Sequence, residues 1–305
     1  MNDFLKKYLI DVIRISKVKD YTIVEDKEGK KYLILRRDKD VGDIYSYLEE
    51  IGYPYYLSIL NHIDENFLLY PYYSDRVDDI SYKAKLLLEG ILFLQLKSIE
   101  YKDTSLEFIS TIYEKSVNEL DSLMDYYSKL QENMEKGPFS PSTYFLLNHI
   151  SEFYQNIEYS RREIENFFQY QEMRIRTSYQ IGNVCLSNFR VGEKKYFLNL
   201  LNMKKDLLSL DLISFYRMDG LSFDMISLFD LYQAKIPFDS SELSFFFSKV
   251  LIPDRLELSN SSYLDTIKIR REIDYLRRVR EFYLKENKKY QETDQEKFKE
   301  KNEDI

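Results

Sequence analysis

Three stretches decide the fold: Cys185-Leu186-Ser187-Asn188-Phe189, then Phe197-Leu198-Asn199-Leu200-Leu201-Asn202-Met203, then Ser209-Leu210-Asp211-Leu212-Ile213-Ser214-Phe215-Tyr216-Arg217. The first two read as short strand-like pieces, around 182–190 and 195–202, joined by the loop Arg190-Val191-Gly192-Glu193-Lys194; the third opens a helix over 209–217. Apolar residues frame single polar positions. Asn188 precedes Phe189, Asn202 lies between Leu201 and Met203, and Asp211 stands in the first turn of the helix. Two of these three are amides, which cannot act as bases near neutral pH and offer only a neutral oxygen to a cation.

Outward from this centre the chain changes character once. Before residue 73 it reads as strands: Val12 to Ile15, Tyr21 to Val24 and Lys31 to Arg36, the last two flanking the polar turn Glu25 to Lys30, which predicts an antiparallel hairpin. A helix is expected over 3–10 and another from Asp43 to Ile51, stopped by Gly52 and Pro54. Strands are expected over 55–60 and 66–70. From residue 80 the period is helical. Lys83 to Ser98 places Leu87, Ile91 and Leu94 on one stripe. Long helices follow over 104–131 and 141–171, split by Glu135-Lys136-Gly137-Pro138-Phe139-Ser140-Pro141, then others over 222–234, 240–251 and 262–290. The expected division is an N-terminal lobe over 1–73, a helical lobe over 74–290 and a charged, irregular tail over 291–305.

A small sheet with one helix, a hinge, and a helical lobe with a strand pair in its middle resembles the protein-kinase-like superfamily. Within it the chain resembles the aminoglycoside/choline phosphotransferase group and, more narrowly, the spore-coat CotS-type proteins. Gly29 to Arg36 is similar to that group's Gly-x-x-Tyr-x-Leu-Lys strand, Leu69-Tyr70-Pro71-Tyr72 to its hinge, and Leu92 to Ser98 to its Leu-x-x-Leu-His helix, with Lys97 near the histidine. The run Tyr232, Ile236-Pro237, Ser241-Glu242, Ile252-Pro253 is similar to the C-terminal run of the CotS type. The fold class implied is α+β, a two-lobe kinase-like fold.

The resemblance also implies a site. Such kinases use one Asp to accept the proton of the attacking hydroxyl, and a second Asp with an Asn to hold magnesium. The first Asp falls on Asn188, the second on Asn202, and the metal-binding Asn, five residues beyond the first Asp, near Glu193. The phosphate-holding Lys appears as Arg36, beside Arg37, and Leu186 stands for the catalytic-loop His. The resemblance makes Arg36, Leu69, Tyr70, Tyr72 and Asn202 the lining of a vestigial nucleotide cleft and gives Asp211 an architectural role. The expectation is therefore a kinase-like protein with no intact catalytic residue, no metal and no cofactor. It would act as a binding or scaffold protein on protein partners, in the cytoplasm and, by the CotS resemblance, in the mother-cell cytosol or spore coat. The alternative is a divergent phosphotransferase using ATP and Mg2+ on a small hydroxylated or sugar-like substrate. A third reading is a member whose cleft is filled by its own side chains.

Composition narrows the partners. The 305 residues carry a net charge of −8, which disfavours nucleic acid. No apolar run reaches bilayer length, so no membrane partner is expected. The single cysteine, Cys185, excludes an internal disulfide and reads as a small buried residue; eight glycines are few for a phosphate-cradling loop. His62 and His149 lack metal-ligand spacing, reading as a loop residue and a helix-face residue. Arg270, Arg277, Arg278 and Arg280 read as an ion-paired helix face, and the tyrosines 126, 127, 144, 154, 159 and 170 chiefly as helix packing.

Overall fold

The computed structural model describes residues 10–18, 21–37, 41–60, 66–137, 140–170, 174–259 and 261–303, with side chains as far as residue 289. The helix expected over 3–10, apart from Ile10, and His62 lie outside them. The chain divides into two compact units. The first comprises Met1–Glu100 and Thr177–Met218; the second comprises Tyr101–Arg176 and Asp219–Ile305.

In the first unit, strands β1 (Val12–Val18), β2 (Tyr21–Asp26), β3 (Lys31–Arg36) and β4 (Phe67–Pro71) form an antiparallel sheet in that order. Register follows the alternation of side chains: Val24 opposes Tyr32, Leu33 opposes Tyr70, and Ile34 opposes Leu69. Because successive side chains face opposite ways, the sheet has two apolar faces. Leu33, Leu35, Leu68 and Tyr70 cluster with Val41 and Tyr45 of α1 (Gly42–Glu50) and its N-cap, and with Leu57, Tyr196 and Leu198. Val24, Ile34 and Leu69 form the other face.

Residues 55–60 are not the expected strand. Their backbone bonds go to two different strands: Tyr55 O accepts from Phe197 N at 3.0 Å, and Leu60 N donates to Leu69 O at 2.8 Å. No single neighbour offers a ladder, so the segment stays extended and irregular. Helix α2 (Ile80–Ser98) starts at Asp79, whose carboxylate accepts the Tyr82 N–H at 3.1 Å. β6 (Arg174–Gln180) ends in this unit, pairing Thr177 to Gln180 with β9 (Lys204–Leu207). Between them β7 (Phe189–Val191) and β8 (Lys195–Phe197) make a tight hairpin, and α6 (Leu210–Asp219) follows β9. The compact unit that holds the sheet thus also holds α2 and residues 177–218.

The second unit is helical: α3 (Leu106–Lys136), α4 (Pro141–Leu147), α5 (Ile150–Tyr170), α7 (Met225–Gln233), α8 (Ser240–Val250) and α9 (Ser262–Glu303), with β5 (Glu100–Asp103) at its start. The single helix expected over 141–171 is interrupted at Asn148-His149. There the His149 N–H bonds Leu146 O in a tightened turn, and the His149 ring meets Arg277 of α9 at 3.3 Å. The backbone of α9 is helical through the stretch from Gln291 that reads as irregular. Lys, Glu and Gln are strong helix formers, and charge alone does not break a helix. Phe229, Phe246, Phe247 and Phe282 interlock at centroid distances of 5.1–6.3 Å to fill the core.

Candidate functional site

All the site residues expected from the sequence fall in the first unit, and the buried carboxylate among them organises a turn. Asp211 is 1% exposed. Its Oδ2 accepts the Ile181 N–H at 2.6 Å and its Oδ1 the Gly182 N–H at 2.9 Å. Its own N–H donates to Gln180 Oε1 at 2.9 Å. Burial pushes its carboxyl up to about 7 against the pull of those two N–H groups, and the charge of Asp206 pushes the same way. Gln95, fully buried on α2, completes the network by donating to Leu208 O at 2.8 Å. Of these two neighbours on α2, Gln95 is turned inward and Lys97 is exposed.

The turn so held is left-handed at two residues, Gly182 (φ 74°) and Asn183 (φ 52°). Glycine tolerates this conformation, and asparagine is among the few other residues that do. A side chain at 182 would also press on Asn202, whose Cβ lies 3.2 Å from where it would stand. Asn188 reaches the same turn: its Nδ2 donates to Asn183 O at 3.3 Å. Asn188 and Asn202 therefore border one turn. Asn199, overlooked in the sequence, joins them. Leu198 N donates to Asn188 O at 2.8 Å, bringing the end of β8 beside Asn188, and Asn199 Oδ1 accepts the Leu201 N–H at 2.9 Å. Its signal was available as an isolated polar residue between Leu198 and Leu200. Glu193 is not brought to the turn. It sits at the tip of the β7–β8 hairpin, paired with Arg76 at 2.9 Å. Among the described residues, no group of three or more His, Cys, Asp and Glu side chains stands close enough to hold a metal ion.

The expected cleft residues diverge. Leu69 belongs to one face of the sheet and Tyr70 to the other, where the Tyr45 hydroxyl donates to the Tyr70 hydroxyl at 2.8 Å. Arg36 is exposed at the end of β3. The segment after β4 is bound to the β7–β8 hairpin along its length. The Tyr73 N–H donates to the Tyr196 hydroxyl at 3.0 Å, and that hydroxyl donates to Tyr73 O at 2.9 Å. Asp75 accepts from Lys83 and, at 3.2 Å, from the Val191 N–H; the Arg76 N–H donates to Val191 O at 2.8 Å. Gly192 lies so close to Ser74 that any Cβ there would stand 2.5 Å from its carbonyl oxygen. Arg190 spans the same region, donating to Ser187 O at 2.9 Å, to the Tyr21 hydroxyl at 3.3 Å and to Tyr72. Neither Tyr196 nor Arg190 was singled out in the sequence, because nothing local distinguishes a bridging side chain from a strand residue.

The remaining constellations have ordinary roles. Cys185 lies 3.1 Å from the Ser187 hydroxyl and is half-buried. In the second unit Arg277 and Arg280 bind Glu152, and Arg278 donates to Leu221 O and Phe223 O. Tyr126 and Tyr127 donate to Leu256 O and Asp254 O, whereas Tyr144 and Tyr170 are exposed. Pro237 and Glu242 of the C-terminal run are joined by Arg176, which donates to Pro237 O at 2.6 Å and to both Glu242 oxygens.

Comparison with solved structures decides the fold. An aminoglycoside phosphotransferase from Alicyclobacillus acidocaldarius subsp. acidocaldarius superposes with a TM-score of 0.61 at 10% identity, covering 92% of this chain and 93% of that one. The chain has the protein-kinase-like two-lobe fold. A thermostable mutant of aminoglycoside phosphotransferase APH(4)-Ia, in ternary complex with ADP and hygromycin B, gives 0.51 at 8% identity over 91% and 97% of the two chains. Choline kinase LicA from Streptococcus pneumoniae gives 0.50 at 9% identity over 90% and 96%. No family model matches the sequence, and no curated protein sequence does. No helix among the described residues is long and apolar enough to cross a membrane.

Proposed function

We propose that this kinase-like chain is a binding protein without phosphotransfer activity, its nucleotide cleft closed by its own side chains. The observation that carries the reading is the Tyr196 hydroxyl, which takes both the N–H and the C=O of Tyr73 just beyond the hinge-like segment 69–72. A backbone N–H beside a C=O is the edge that an adenine ring, with one acceptor and one donor, would need. Here a phenol meets it, and the ring behind that phenol packs with Leu33, Leu35 and Tyr70.

The polar positions agree. In the kinase-like pattern the metal-binding Asn follows the first Asp by five residues. Asn183 and Asn188 have that spacing and share the turn held by Asp211, whereas Glu193 is engaged elsewhere. We therefore move the general-base position to Asn183, the metal-binding Asn to Asn188 and the second Asp to Asn199. That placement keeps the Asn but leaves amides in both Asp seats, so the base assistance of about 10²–10⁴ in rate is missing and the anionic oxygen for magnesium is replaced by a neutral one. Arg190, with Tyr21 and Tyr72, adds a fixed cation to the closed region.

The role proposed in place of catalysis is protein binding, for which exposed Tyr101, Leu106, Phe108, Phe168 and Tyr170 in the second unit offer apolar and aromatic anchors. A spore-coat and mother-cell setting rests on the CotS resemblance and is tested by imaging a fluorescent fusion in a sporulating host. The test of inactivity is thermal unfolding of the purified chain with ATP, with and without magnesium, beside transfer of labelled phosphate to pooled hydroxylated acceptors. No magnesium-dependent shift and no transfer are expected. A rise in Tm with Mg-ATP, accompanied by ADP formation, establishes the alternative, a divergent phosphotransferase. Tyr196→Ala sharpens the reading: adenosine should raise the Tm of the variant and leave the parent unchanged.

A further inference from the structure

We propose that the Gly182–Asn183 turn is a proton-sensitive switch, tight while the Asp211 carboxyl is ionised and loosened when it takes up a proton. Asp211 is buried, and its two oxygens are each committed to one backbone N–H, from Ile181 and Gly182. A carboxylate accepts at both oxygens. A carboxylic acid carries an O–H on one of them, and an O–H pointed at an N–H repels it. The protonated oxygen keeps a poorer acceptor lone pair, so protonation weakens one of the two bonds that fix the turn, or rotates the carboxyl away from it.

The surroundings favour that protonation at ordinary pH. The titratable groups near Asp211 are Tyr53 from the segment after α1 and Asp206 of β9. Its own helix carries Arg217 and Asp219 at the far end, and β6 adds the neutral Gln180, bonded to the Asp211 N–H. The Tyr53 hydroxyl donates to Gly90 O and so is turned to another partner. Among the described residues no lysine, arginine or histidine bonds the Asp211 carboxylate, and Asp206, itself paired with Lys204, adds a negative charge beside it. A buried anion with only neutral donors and a like charge nearby titrates close to neutrality, where two-N–H binding would otherwise hold it acidic. Asn183, Asn188 and Asn202 all border the turn, so its loosening reaches each of them.

The test follows the amide resonances of Ile181 and Gly182 in the full-length chain by NMR between pH 5 and 9, with hydrogen exchange at the same two sites. Both resonances should titrate together with a midpoint near 7, and their exchange protection should fall on the acid side beyond the change expected from intrinsic exchange chemistry. Asp211→Asn should abolish the titration. Because that variant could fold poorly, Asp206→Asn provides an independent arm: Asp206 is at the rim, paired with Lys204 at 2.5 Å, and its removal should lower the midpoint while the fold is kept. Flat resonances across the range, or a midpoint indifferent to Asp206→Asn, overturn the proposal.

Discussion

Asp211 in the first unit and Glu152 in the second are both carboxylates drawn out of water, and they are held in opposite ways. Burial pushes Glu152 upward too, but bonds from Arg277 and Arg280 outweigh it and keep the carboxyl below its usual range. Asp211 has two backbone N–H groups and, among the described residues, no cation bonded to it, and it rises to about 7. The difference shows what each unit does with a charge. The second unit spends acids against arginines to join helices. The first unit commits Asp211, 1% exposed, to backbone, to shape a turn bordered by amides. Linkage gives the sign. The Asp211 carboxyl is raised above its unfolded value, so its contribution to stability is fully present below about pH 4 and is lost as pH rises through about 7. Glu152 is lowered, so its contribution is present above the unfolded carboxylate range and lost as pH falls through its folded value. Calorimetric stability measured across pH in Asp211→Asn and Glu152→Gln should lose these opposite slopes, one in each variant.

The largest effect expected from a single change is at Arg176, which joins the start of β6 to α8 through Glu242 at 2.8 Å and through Pro237 O. The side chains of the pair are 14% and 15% exposed. Arg176→Ala leaves the largely covered Glu242 carboxylate without its cation, held only by the Asp239 N–H, a loss of about 3–5 kcal/mol. Urea unfolding measures it. A loss under about 1 kcal/mol would mean that the second unit does not depend on paired charge, and the contrast with Asp211 would fail.

Next in size is Tyr196→Phe in the first unit. The ring and its packing stay, and only the hydroxyl goes. Both Tyr73 backbone groups lose their partner, costing about 1–3 kcal/mol if water cannot replace it. A cost near zero would show that water reaches Tyr73, and so that the region behind the hinge is open. The same variant thereby tests the proposed closure without any nucleotide.

How much of this was legible in advance depends on the range of the interaction. The hairpin over 21–36 and the stripe of α2 announce themselves because strand and helix periods are local. Asp211 stands out as an acid in an apolar helix start. Residues 55–60 mislead because their alternation is real while their backbone partners lie on two strands far apart in sequence. Strand β9, Lys204–Leu207, hides because Lys204 and Lys205 are exposed polar residues with no apolar face to mark them. Gln95 and Tyr196 acquire their meaning only from partners over a hundred residues away: Leu208 for the first and Tyr73 for the second. The site was half-legible for the same reason: the frame of apolar residues is local, but which asparagine meets which is tertiary.

Capping offers a smaller, cleaner comparison, because the units cap helices with similar chemistry. Asp224 begins α7 in the second unit, accepting from the Ile226 and Ser227 N–H groups and from the Ser227 hydroxyl at 2.7 Å. The Ser227 hydroxyl and those N–H groups hold its carboxyl below the usual range despite some burial. Asp79 does the same for α2 in the first unit with the single Tyr82 N–H. Asp224→Ala should cost about 1 kcal/mol and Asp79→Ala somewhat less. Equal losses would mean that the number of N–H groups met does not matter at these ends.

The smallest effect expected is at Arg76 and Glu193, and it separates closure from decoration. Their pair is well formed at 2.9 Å, but the side chains are 67% and 58% exposed. Solvent screens such a pair, and holding two long side chains costs entropy, so Arg76→Ala should change stability by less than about 0.5 kcal/mol. The neighbouring bonds that bind the same segment to the hairpin are of another kind: Asp75 to the Val191 N–H, the Arg76 N–H to Val191 O, and Tyr196 to Tyr73. None of these needs the Arg76 side chain. If Arg76→Ala instead costs as much as Tyr196→Phe, the segment is clamped from its solvent edge and the filled interior is secondary. Raising the salt concentration then distinguishes the two, because the exposed pair weakens with ionic strength and the Tyr196 bonds do not.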